Sequence, residues 1–224
     1  IPAYNEAPVI QRVLASLPSK VAHIASIKTV VVDDGSRDKT SQEAARSPQT
    51  IVLRHAVNLG VGAAIMTGIE AARRLDADIA VTIDGDGQHD PEEIRRVIKP
   101  ILANKADIVV GNRFMRNQVI PRQRIILNRL ANILTNWLYH TKIGDSQSGF
   151  RAYSRRALDN LAIDVNGFEA VAELLGQAHR KNLKVKEVPI RVRYTDYSMR
   201  KGQHVANSLS MGLTLVLNAL RRVR

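Results

Sequence analysis

The sequence of 224 residues contains no cysteine. Disulfide bonds and zinc-thiolate sites are therefore excluded, while a reducing compartment is allowed. Aromatic residues make up 4% of the chain. They do not alternate with basic residues, and no helix-turn-helix, RNP-type or KH-type pattern occurs. Because single-stranded nucleic acid is bound on aromatic platforms within basic grooves, we expect no nucleic-acid partner.

The chain also lacks an apolar run of the length that crosses a bilayer. Its last apolar stretch, residues 205–220, is short and is interrupted by Asn207 and Asn218. We expect this stretch to lie as an amphipathic helix on the cytoplasmic face of an anionic membrane, with further membrane segments outside the chain left open. The chain begins at Ile1 inside what resembles a strand end, so we expect the natural amino terminus upstream.

Acidic residues are scarce at the carboxyl-terminal end. The formal net charge is +12, and residues 180–224 contribute +9 of it, since eleven Lys and Arg face only Glu187 and Asp196. The rest of the chain is close to balanced. This asymmetry indicates an anionic partner at that end, either phosphate or an acidic lipid surface.

Short β-branched runs alternate with helical stretches, which predicts one α/β domain. Residues 78–84 are typical of a buried strand, and Pro91 with two acids opens the next helix. Asp84, Asp86 and Gln88 therefore lie at the carboxyl end of a strand, where open α/β sheets bind ligands. Hard oxygen ligands suit Mg²⁺ or Mn²⁺ carried with a phosphate. A solvated acidic turn is the alternative for the Asp-Gly-Asp taken alone.

A second β-branched run, residues 27–34, ends in Asp33 and Asp34. Acids at sheet ends are costly unless they meet donors or a cation. An Asp there can accept from a nucleobase N–H or from ribose hydroxyls, whereas capping of the following helix explains one of the two acids but not both. Gly60 and Gly62 begin a dinucleotide-like pattern whose third small residue falls on Ile65, so a nicotinamide enzyme is not indicated.

Basic side chains are predicted at the same sheet edge as the acids. Arg113 follows the strand over residues 106–113 and could pair with a phosphate. Residues 121–140 predict an amphipathic helix with Arg122, Arg124 and Arg129 clustered toward its start. Its apolar stripe favours the protein core, with a membrane interface as the alternative. The stripe consists of Ile126, Leu130, Ile133, Leu134, Trp137 and Leu138.

Three further segments complete the secondary-structure prediction. Asn5 is a candidate N-cap for the first helix. Residues 144–154 predict a loop that returns to a strand, and the helix after it carries Glu169 and Glu173 one turn apart. Residues 184–194 alternate like an edge strand that contains a proline.

Six segments in the same order resemble family 2 glycosyltransferases of the GT-A fold, specifically those similar to dolichol-phosphate mannose synthase and bacterial polyprenyl-phosphate glycosyltransferases. The loop at 197–203 departs from the Gly-x-Ser-Lys stretch that the synthases usually carry. The matching segments are PAYNE at 2–6, VDDGS at 32–36, NLGVGAA at 58–64, DGDGQHDPEE at 84–93, GNR at 111–113 and DSQSGFRAY at 145–153.

The resemblance implies a GT-A (Rossmann-like), mostly parallel sheet flanked by helices, with a carboxyl-terminal amphipathic helical extension. Residues 1–195 would be the catalytic domain, and residues 196–224 a basic loop and a membrane-interface helix. The implied donor is a nucleotide-diphosphate sugar of the UDP or GDP type, the acceptor is a polyprenyl phosphate, and the cofactor is Mg²⁺ or Mn²⁺.

The resemblance also implies a role for each matching residue. Asp84, Asp86 and Arg113 would serve the reaction itself, and the metal would be held by Asp86, Gln88 and Asp84. The nucleotide sugar would contact Pro2, Tyr4, Glu6, Asp33, Asp34 and Asp84. The acceptor phosphate would contact Arg113, Arg122, Arg129, Arg200 and Lys201.

The implied reaction is direct displacement with inversion at the anomeric carbon, because no protein nucleophile lies beside the Asp-Gly-Asp segment. A lipid phosphate is already anionic and needs no general base, whereas a sugar hydroxyl needs one. One alternative is therefore a hydroxyl acceptor activated by Asp145, Glu169 or Glu173. An inactive nucleotide-sugar-binding module is a second alternative, and it would have no need of a metal site.

Overall fold

The computed structural model describes residues 1–162, 167, 169–195 and 197. Seven strands and seven helices alternate along this part of the chain, with a short 3-10 turn at Pro91–Glu93 before the fourth helix. The strands are β1 Pro2–Ala3, β2 Thr29–Asp33, β3 Thr50–Arg54, β4 Ile79–Thr82, β5 Ile108–Asn112, β6 Arg151–Ser154 and β7 Val185–Pro189. The helices are α1 Ile10–Ala15, α2 Thr40–Ala45, α3 Val61–Arg74, α4 Ile94–Leu102, α5 Arg122–Tyr139, α6 Arg155–Asn160 and α7 Glu169–Arg180.

The strands form two hydrogen-bonded sheets. The first has the order β1-β2-β3 and is entirely parallel, with Ala3 opposite Asp33 and Asp33 opposite Arg54. The second has the order β4-β6-β5-β7, in which β6 is antiparallel to both of its neighbours and β7 is parallel to β5. The predicted α/β fold with a flanked, mostly parallel sheet is confirmed, and β7 is the predicted edge strand.

Alternating side chains of the second sheet build a core on each of its faces. Ile108 and Val110 of β5 pack with residues of α3, α6 and α7, including Ile69, Leu158 and Leu174. Val109, between them on the strand, points to the opposite face and packs with Val97, Ile98 and Ile101 of α4. A strand that is buried on both faces explains why β5 is continuously apolar in sequence.

The end of β4 lies against the first sheet, beside β1. A Cβ placed on Gly85 would lie 3.1 Å from the carbonyl oxygen of Pro2. Gly85 thus allows the chain after β4 to pass close to β1. This approach brings the acids that follow β4 and those that end β2 to the same side of the molecule.

Two local predictions are wrong. Asn5 does not cap α1, because it adopts a left-handed backbone conformation (φ 53°) and its Oδ1 accepts a hydrogen bond from the Arg37 amide at 2.8 Å. The face of α5 that packs on the protein is polar at its centre, with Asn132 and Thr135 buried, while most of the predicted apolar stripe is exposed. No helix within the described ranges has the length and apolarity needed to cross a membrane. The predicted carboxyl-terminal helix lies outside the described residues.

Arg151 of β6 is fully buried and ties the preceding loop to α7. Its guanidinium donates to the carbonyl oxygens of Ser146 at 2.6 Å, Ser148 at 2.9 Å and Val171 at 2.7 Å. Burial lowers the pKa of Arg151. The side chain holds three carbonyls that have no access to water, so its contribution is structural.

Replacement Arg151→Met should lower the free energy of unfolding by about 3–5 kcal/mol, because buried acceptors would lose their donors. Urea denaturation checks this value. The matched control is Arg155→Met on α6, where an exposed guanidinium pairs with Asp76 and Asp159; its stability should stay close to that of the parent protein. Equal losses in both variants would contradict the structural role of Arg151.

Candidate active site

The loop after β4 is arranged around Asp84. Nε2 of His89 lies 2.9 Å from Oδ2 of Asp84, and the His89 ring is tilted against Phe150 with ring centroids 5.2 Å apart. His89 is buried, so the ring has little freedom to turn away. The loop therefore holds the Asp84 carboxylate in one orientation.

Asp86 is held by the residue two positions further along. Its Oδ1 accepts from the backbone amide of Gln88 at 2.9 Å, and its Oδ2 accepts from the Gln88 side-chain amide. The side-chain oxygen Oε1 of Gln88 accepts from Nη1 of Arg124 on α5 at 3.2 Å. Gln88 thus links Asp86 to a cation on α5, and its oxygen would have to leave Arg124 before it could face a metal.

The two acids have opposite pKa shifts. Burial acts to raise the pKa of Asp84, but the hydrogen bond and charge of His89, together with the charge of Arg113, outweigh it and lower that pKa. Burial and the charge of Asp84 raise the pKa of Asp86. A divalent cation beside both groups would favour their ionised forms and remove this mutual repulsion.

The donor set suits a cation that is only partly held by protein. Among the described residues, no group of three or more His, Asp or Glu side chains converges on a point where a metal ion could sit. Asp84 and Asp86 can supply two carboxylates, and Mg²⁺ or Mn²⁺ characteristically takes one or two carboxylates with water and substrate phosphates. The residues present fit such an ion, with most of its coordination left to the substrate.

Gly149, in the loop before β6, lies directly against Asp84. A Cβ on Gly149 would fall 2.2 Å from Asp84 Oδ1, and the Gly149 carbonyl accepts from the Thr82 hydroxyl at 2.7 Å. Only a residue without a side chain fits between the β4 end and this loop. The segment 145–153 therefore forms one wall of the Asp84 site.

Arg113 is fixed by a buried bidentate ion pair with Asp145. Its Nε and Nη2 donate to the two carboxylate oxygens, both at 2.7 Å, and its backbone amide donates to Asp145 at 3.0 Å. Burial would lower the pKa of Arg113, but the charge and hydrogen bonds of Asp145 raise it above its usual value. The guanidinium is thus a permanent cation near Asp84.

A second carboxylate holds the loop that carries Asp145. Glu187 of β7 accepts from the amides of Gly144 and Asp145, the latter at 3.0 Å, and from the Asn112 side chain at 2.8 Å. Asp145 is completely buried. Since both of its oxygens are bound by Arg113, Asp145 is poorly placed to act as a general base.

Asp33 and Asp34 both organise loops. Asp33 accepts from the amide of Ser36 at 2.8 Å and from the hydroxyl of Ser41, at the start of α2. Asp34 accepts from the amides of Leu59 and Gly60 at 2.9 and 2.8 Å, at the start of α3, and lies 2.7 Å from Nδ1 of His55. Both acids therefore bind residues of a neighbouring loop and hold that loop in place. Capping of the following helix would have explained only one of them.

The segment after β1 meets the far end of the chain. The Glu6 amide donates to the Thr40 hydroxyl at 2.8 Å, and the Glu6 carboxylate accepts from the Tyr197 hydroxyl at 2.7 Å. Pro2 pairs with Val32 in the first sheet. The segment that carries Pro2, Tyr4 and Glu6 thus begins beside the strand that ends in Asp33, and its role in nucleotide-sugar binding stays a prediction.

The arginines predicted to bind the acceptor phosphate differ in their distance from the site and in their exposure. Arg113 lies near Asp84, whereas Arg122 and Arg129 are exposed on α5. Arg200 and Lys201 lie outside the described residues. Arg124, which was not among the predicted site residues, reaches Gln88 and stacks over Tyr194 with its guanidinium carbon 5.1 Å from the ring centroid. Its position in the arginine cluster at the start of α5 was the available signal.

From the sequence alone, His89, Gly149 and Phe150 also have no predicted role in the site. Each lies within a motif that had been recognised, at 84–93 or 145–153, but neither motif shows that the two meet. Their contact requires β6 to pair with β4, with Thr82 opposite Arg151. Nonlocal pairing of this kind carries no local sequence signal.

The fold is a mixed α/β fold of the GT-A type. The structure is similar to the crystal structure of glucosyl-3-phosphoglycerate synthase from Mycobacterium tuberculosis, with a TM-score of 0.75 and 22% identity over 99% of this chain and 77% of that chain. The same enzyme has been solved with Mn²⁺, UDP and phosphoglyceric acid. At this identity the similarity shows the fold alone.

The sequence comparisons give the family. The family model described as glycosyl transferase family 2 matches residues 1–162, and the chain belongs to this family. It is 34% identical over 244 residues to UDP-N-acetylglucosamine–dolichyl-phosphate N-acetylglucosaminyltransferase of Methanococcus voltae, covering 100% of this chain and 96% of that protein. It is 31% identical over 202 residues to polyprenol monophosphomannose synthase of Mycolicibacterium smegmatis, covering 85% of this chain and 74% of that protein.

Replacement Gly149→Ala should displace the Asp84 carboxylate, because the new methyl group would overlap Oδ1. We expect a loss of about 1–3 kcal/mol in the free energy of unfolding from overpacking. The ¹⁵N resonance of His89 Nε2 should also move as its hydrogen bond is disturbed. Thermal unfolding and imidazole NMR measure the two effects.

The matched control is Gly68→Ala in α3, where the nearest atom to the new Cβ is Val32 Cγ2 at 3.8 Å. That methyl group makes only an ordinary van der Waals contact, and alanine has a higher helix propensity than glycine. The free energy of unfolding should therefore stay unchanged or rise by up to about 1 kcal/mol. An unshifted His89 resonance in Gly149→Ala would contradict the close approach.

Proposed function

We propose that this chain transfers a sugar from a nucleotide-diphosphate sugar to a polyprenyl phosphate, with inversion and with the help of Mg²⁺ or Mn²⁺. The observation that carries the acceptor class is the sequestration of Asp145 by Arg113. A hydroxyl acceptor needs a base, while a phosphate acceptor brings its own negative charge. Among the described residues, the site offers the Arg113 cation near Asp84, while the candidate base beside it, Asp145, is bound on both oxygens.

The donor side of the proposal rests on Asp84 and Asp86. Both carboxylates would face a divalent ion on the sugar diphosphate, with Gln88 orienting Asp86 or joining as a ligand. The ion would act as a Lewis acid toward the leaving diphosphate. Held by His89 and Gln88, the two side chains are preorganised for this task before substrate arrives.

The nucleoside would bind beside the ends of β1 and β2. Pro2, Tyr4 and Glu6 line this region, and Asp33 and Asp34 hold the loops that border it. The UDP in the name of the Methanococcus voltae relative and in the crystals of the Mycobacterium tuberculosis enzyme supports a uridine donor. A GDP-type donor is the alternative that the donor panel described below tests.

Arg113 is the proposed partner of the acceptor phosphate or of the leaving diphosphate. Its Nε and Nη2 are bound by Asp145, so the charge is held in place without side-chain entropy to lose on binding. Arg122, Arg129, Arg200 and Lys201 are proposed to extend this cationic surface. The dolichyl-phosphate and polyprenol names of the two relatives support a lipid phosphate acceptor, which would bring the enzyme to the cytoplasmic face of a membrane.

The hydroxyl-acceptor alternative has less support. Asp145 is bound on both oxygens, and Glu173 is buried in α7 with Gln177 3.3 Å from its Oε1. The side chain of Glu169 is not described. An inactive binding module is also disfavoured, because burial and the charge of Asp84 raise the pKa of Asp86, so an ionised Asp86 is unfavourable unless a cation binds beside it.

Replacement Asp86→Ala should reduce metal-dependent transfer by at least about a hundredfold, as loss of a preorganised charge does in other active sites. Sugar transfer and Mn²⁺ affinity, measured by calorimetry, report the effect. The matched control is Asp78→Ala, an exposed acid at the opposite end of β4, which should leave both unchanged. Unchanged turnover of Asp86→Ala would remove the metal assignment.

A panel of UDP-, GDP- and dTDP-sugars with polyprenyl phosphate and Mn²⁺ tests the reaction class. One donor type should yield a lipid-linked monophosphosugar whose anomeric configuration is opposite to that of the donor, assigned by proton NMR. A retained configuration would exclude direct displacement. Transfer to a glycan hydroxyl with no lipid product would establish the rival acceptor.

A further inference from the structure

An unusual concentration of exposed apolar side chains lies on α5 and the loop before it. Ile126, Leu130, Ile133 and Trp137 are 60%, 60%, 67% and 70% exposed. Their spacing of four, three and four residues places them along one face of the helix, over a length of about 16 Å. Val119, in the preceding loop, is 92% exposed. A contiguous patch of this kind on a folded protein marks an interaction surface.

The opposite face of α5 fixes this orientation. Asn132 accepts from the amide of Ser146 at 2.8 Å, and Asn136 donates to the carbonyl of Ile143 at 2.9 Å. These contacts tie the helix to the loop that carries Asp145. Rotation of α5 to bury the apolar stripe would break them, so the stripe must face outward.

The charge around the stripe indicates what it meets. Residues 108–144 contain no Asp or Glu. Arg122 lies one turn before Ile126, and Arg129 one turn before Ile133, so cations border the apolar face on its own side. Arg122 and Arg129 are both exposed, whereas Arg113 and Arg116 of the same range are paired with Asp145 and Glu93.

We propose that residues 115–137 form a docking surface for an anionic phospholipid bilayer, with the α5 stripe inserted at the level of the acyl boundary and the arginines at the phosphates. Apolar insertion and cation–phosphate attraction both strengthen such binding. A second copy of the chain packed through the same face would instead bring the exposed Arg122 and Arg129 of the two helices together, which is unfavourable. This docking surface rests on the proposed function in one respect: the polyprenyl phosphate acceptor is the reason the enzyme would meet a membrane.

Docking on α5 would set the active site at the membrane surface. Arg124, on the same helix, contacts Gln88 in the loop that carries Asp86. The polar face of α5 meanwhile holds the segment that contains Asp145 and Gly149. Helix α5 thus contacts both the loop after β4 and the loop before β6. Its docking would place these two loops at the level of the bilayer where the phosphate of a lipid lies.

Trp137 is the only tryptophan in the chain, so its emission reports on this surface without background. The full chain, without donor or acceptor, is mixed with vesicles of phosphatidylglycerol and phosphatidylcholine. We expect the emission to shift to shorter wavelength and to be quenched by acyl-brominated lipids, with little effect from phosphatidylcholine alone. In the absence of lipid, iodide should quench Trp137 freely at all protein concentrations.

The variant Ile133→Asp should weaken vesicle binding by about tenfold or more, because an inserted apolar group becomes a charge. Val57→Asp is the matched control, since Val57 is 61% exposed, lies outside the α5 surface and changes charge identically. It should bind vesicles like the parent protein, with circular dichroism confirming that both variants are folded. Asp86→Ala should also bind normally, which separates docking from catalysis.

Several outcomes would overturn the inference. Cosedimentation with vesicles without bromine quenching of Trp137 would assign binding to another segment, and absence of binding would exclude a bilayer partner. Shielding from iodide that grows with protein concentration would show that a second copy covers the stripe. Shielding at every concentration would show that the chain's own residues cover it.

Discussion

The buried ion pair between Arg113 and Asp145 is the interaction on which the site depends most. It joins the end of β5 to the loop before β6, and that loop in turn holds Gly149 against Asp84. Breaking one partner would leave a desolvated charge, at a cost of about 3–5 kcal/mol. The pair also affects the chemistry that the site can perform. Asp145, a candidate base, is occupied in holding Arg113, and Arg113 becomes a cation in a fixed position. The geometry that sequesters Asp145 therefore favours an acceptor that carries its own charge.

The acidic loop after β4 obeys a related constraint. Asp84 is close enough to Asp86 for its charge to raise the pKa of Asp86, and His89 and Gln88 hold the two carboxylates in place. A cation bound beside Asp86 would relieve this repulsion. This links the fold of the loop to the donor chemistry that family membership suggests. In the proposed reaction the protein would supply orientation, and the substrate would complete the coordination of the metal.

Helix α5 has one face that binds the protein and another that is exposed. Its Asn132 and Asn136 face the protein and bind the backbone of residues 143–146, and Leu134 and Leu138 pack against Ala172 of α7. A further apolar face, formed by Ile126, Leu130, Ile133 and Trp137, is exposed. This face departs from the usual distribution of a surface helix, and it is the face that fits a bilayer. The same polar contacts that stabilise the active-site loop keep the apolar stripe exposed.

The sequence by itself determined the α/β alternation, the acids at the ends of β2 and β4 and the family, because strand composition, turn residues and motif order are local. It also indicated which loops carry chemistry. It could not decide that antiparallel β6 lies between β4 and β5, that Asp145 pairs with Arg113, or that Asp34 holds the start of α3. Periodicity found the apolar stripe of α5 but did not show that four of its six residues are exposed while Leu134 and Leu138 pack on the protein. These were decided only by tertiary structure, since they depend on partners distant in the chain, and a side chain's role follows from what it meets.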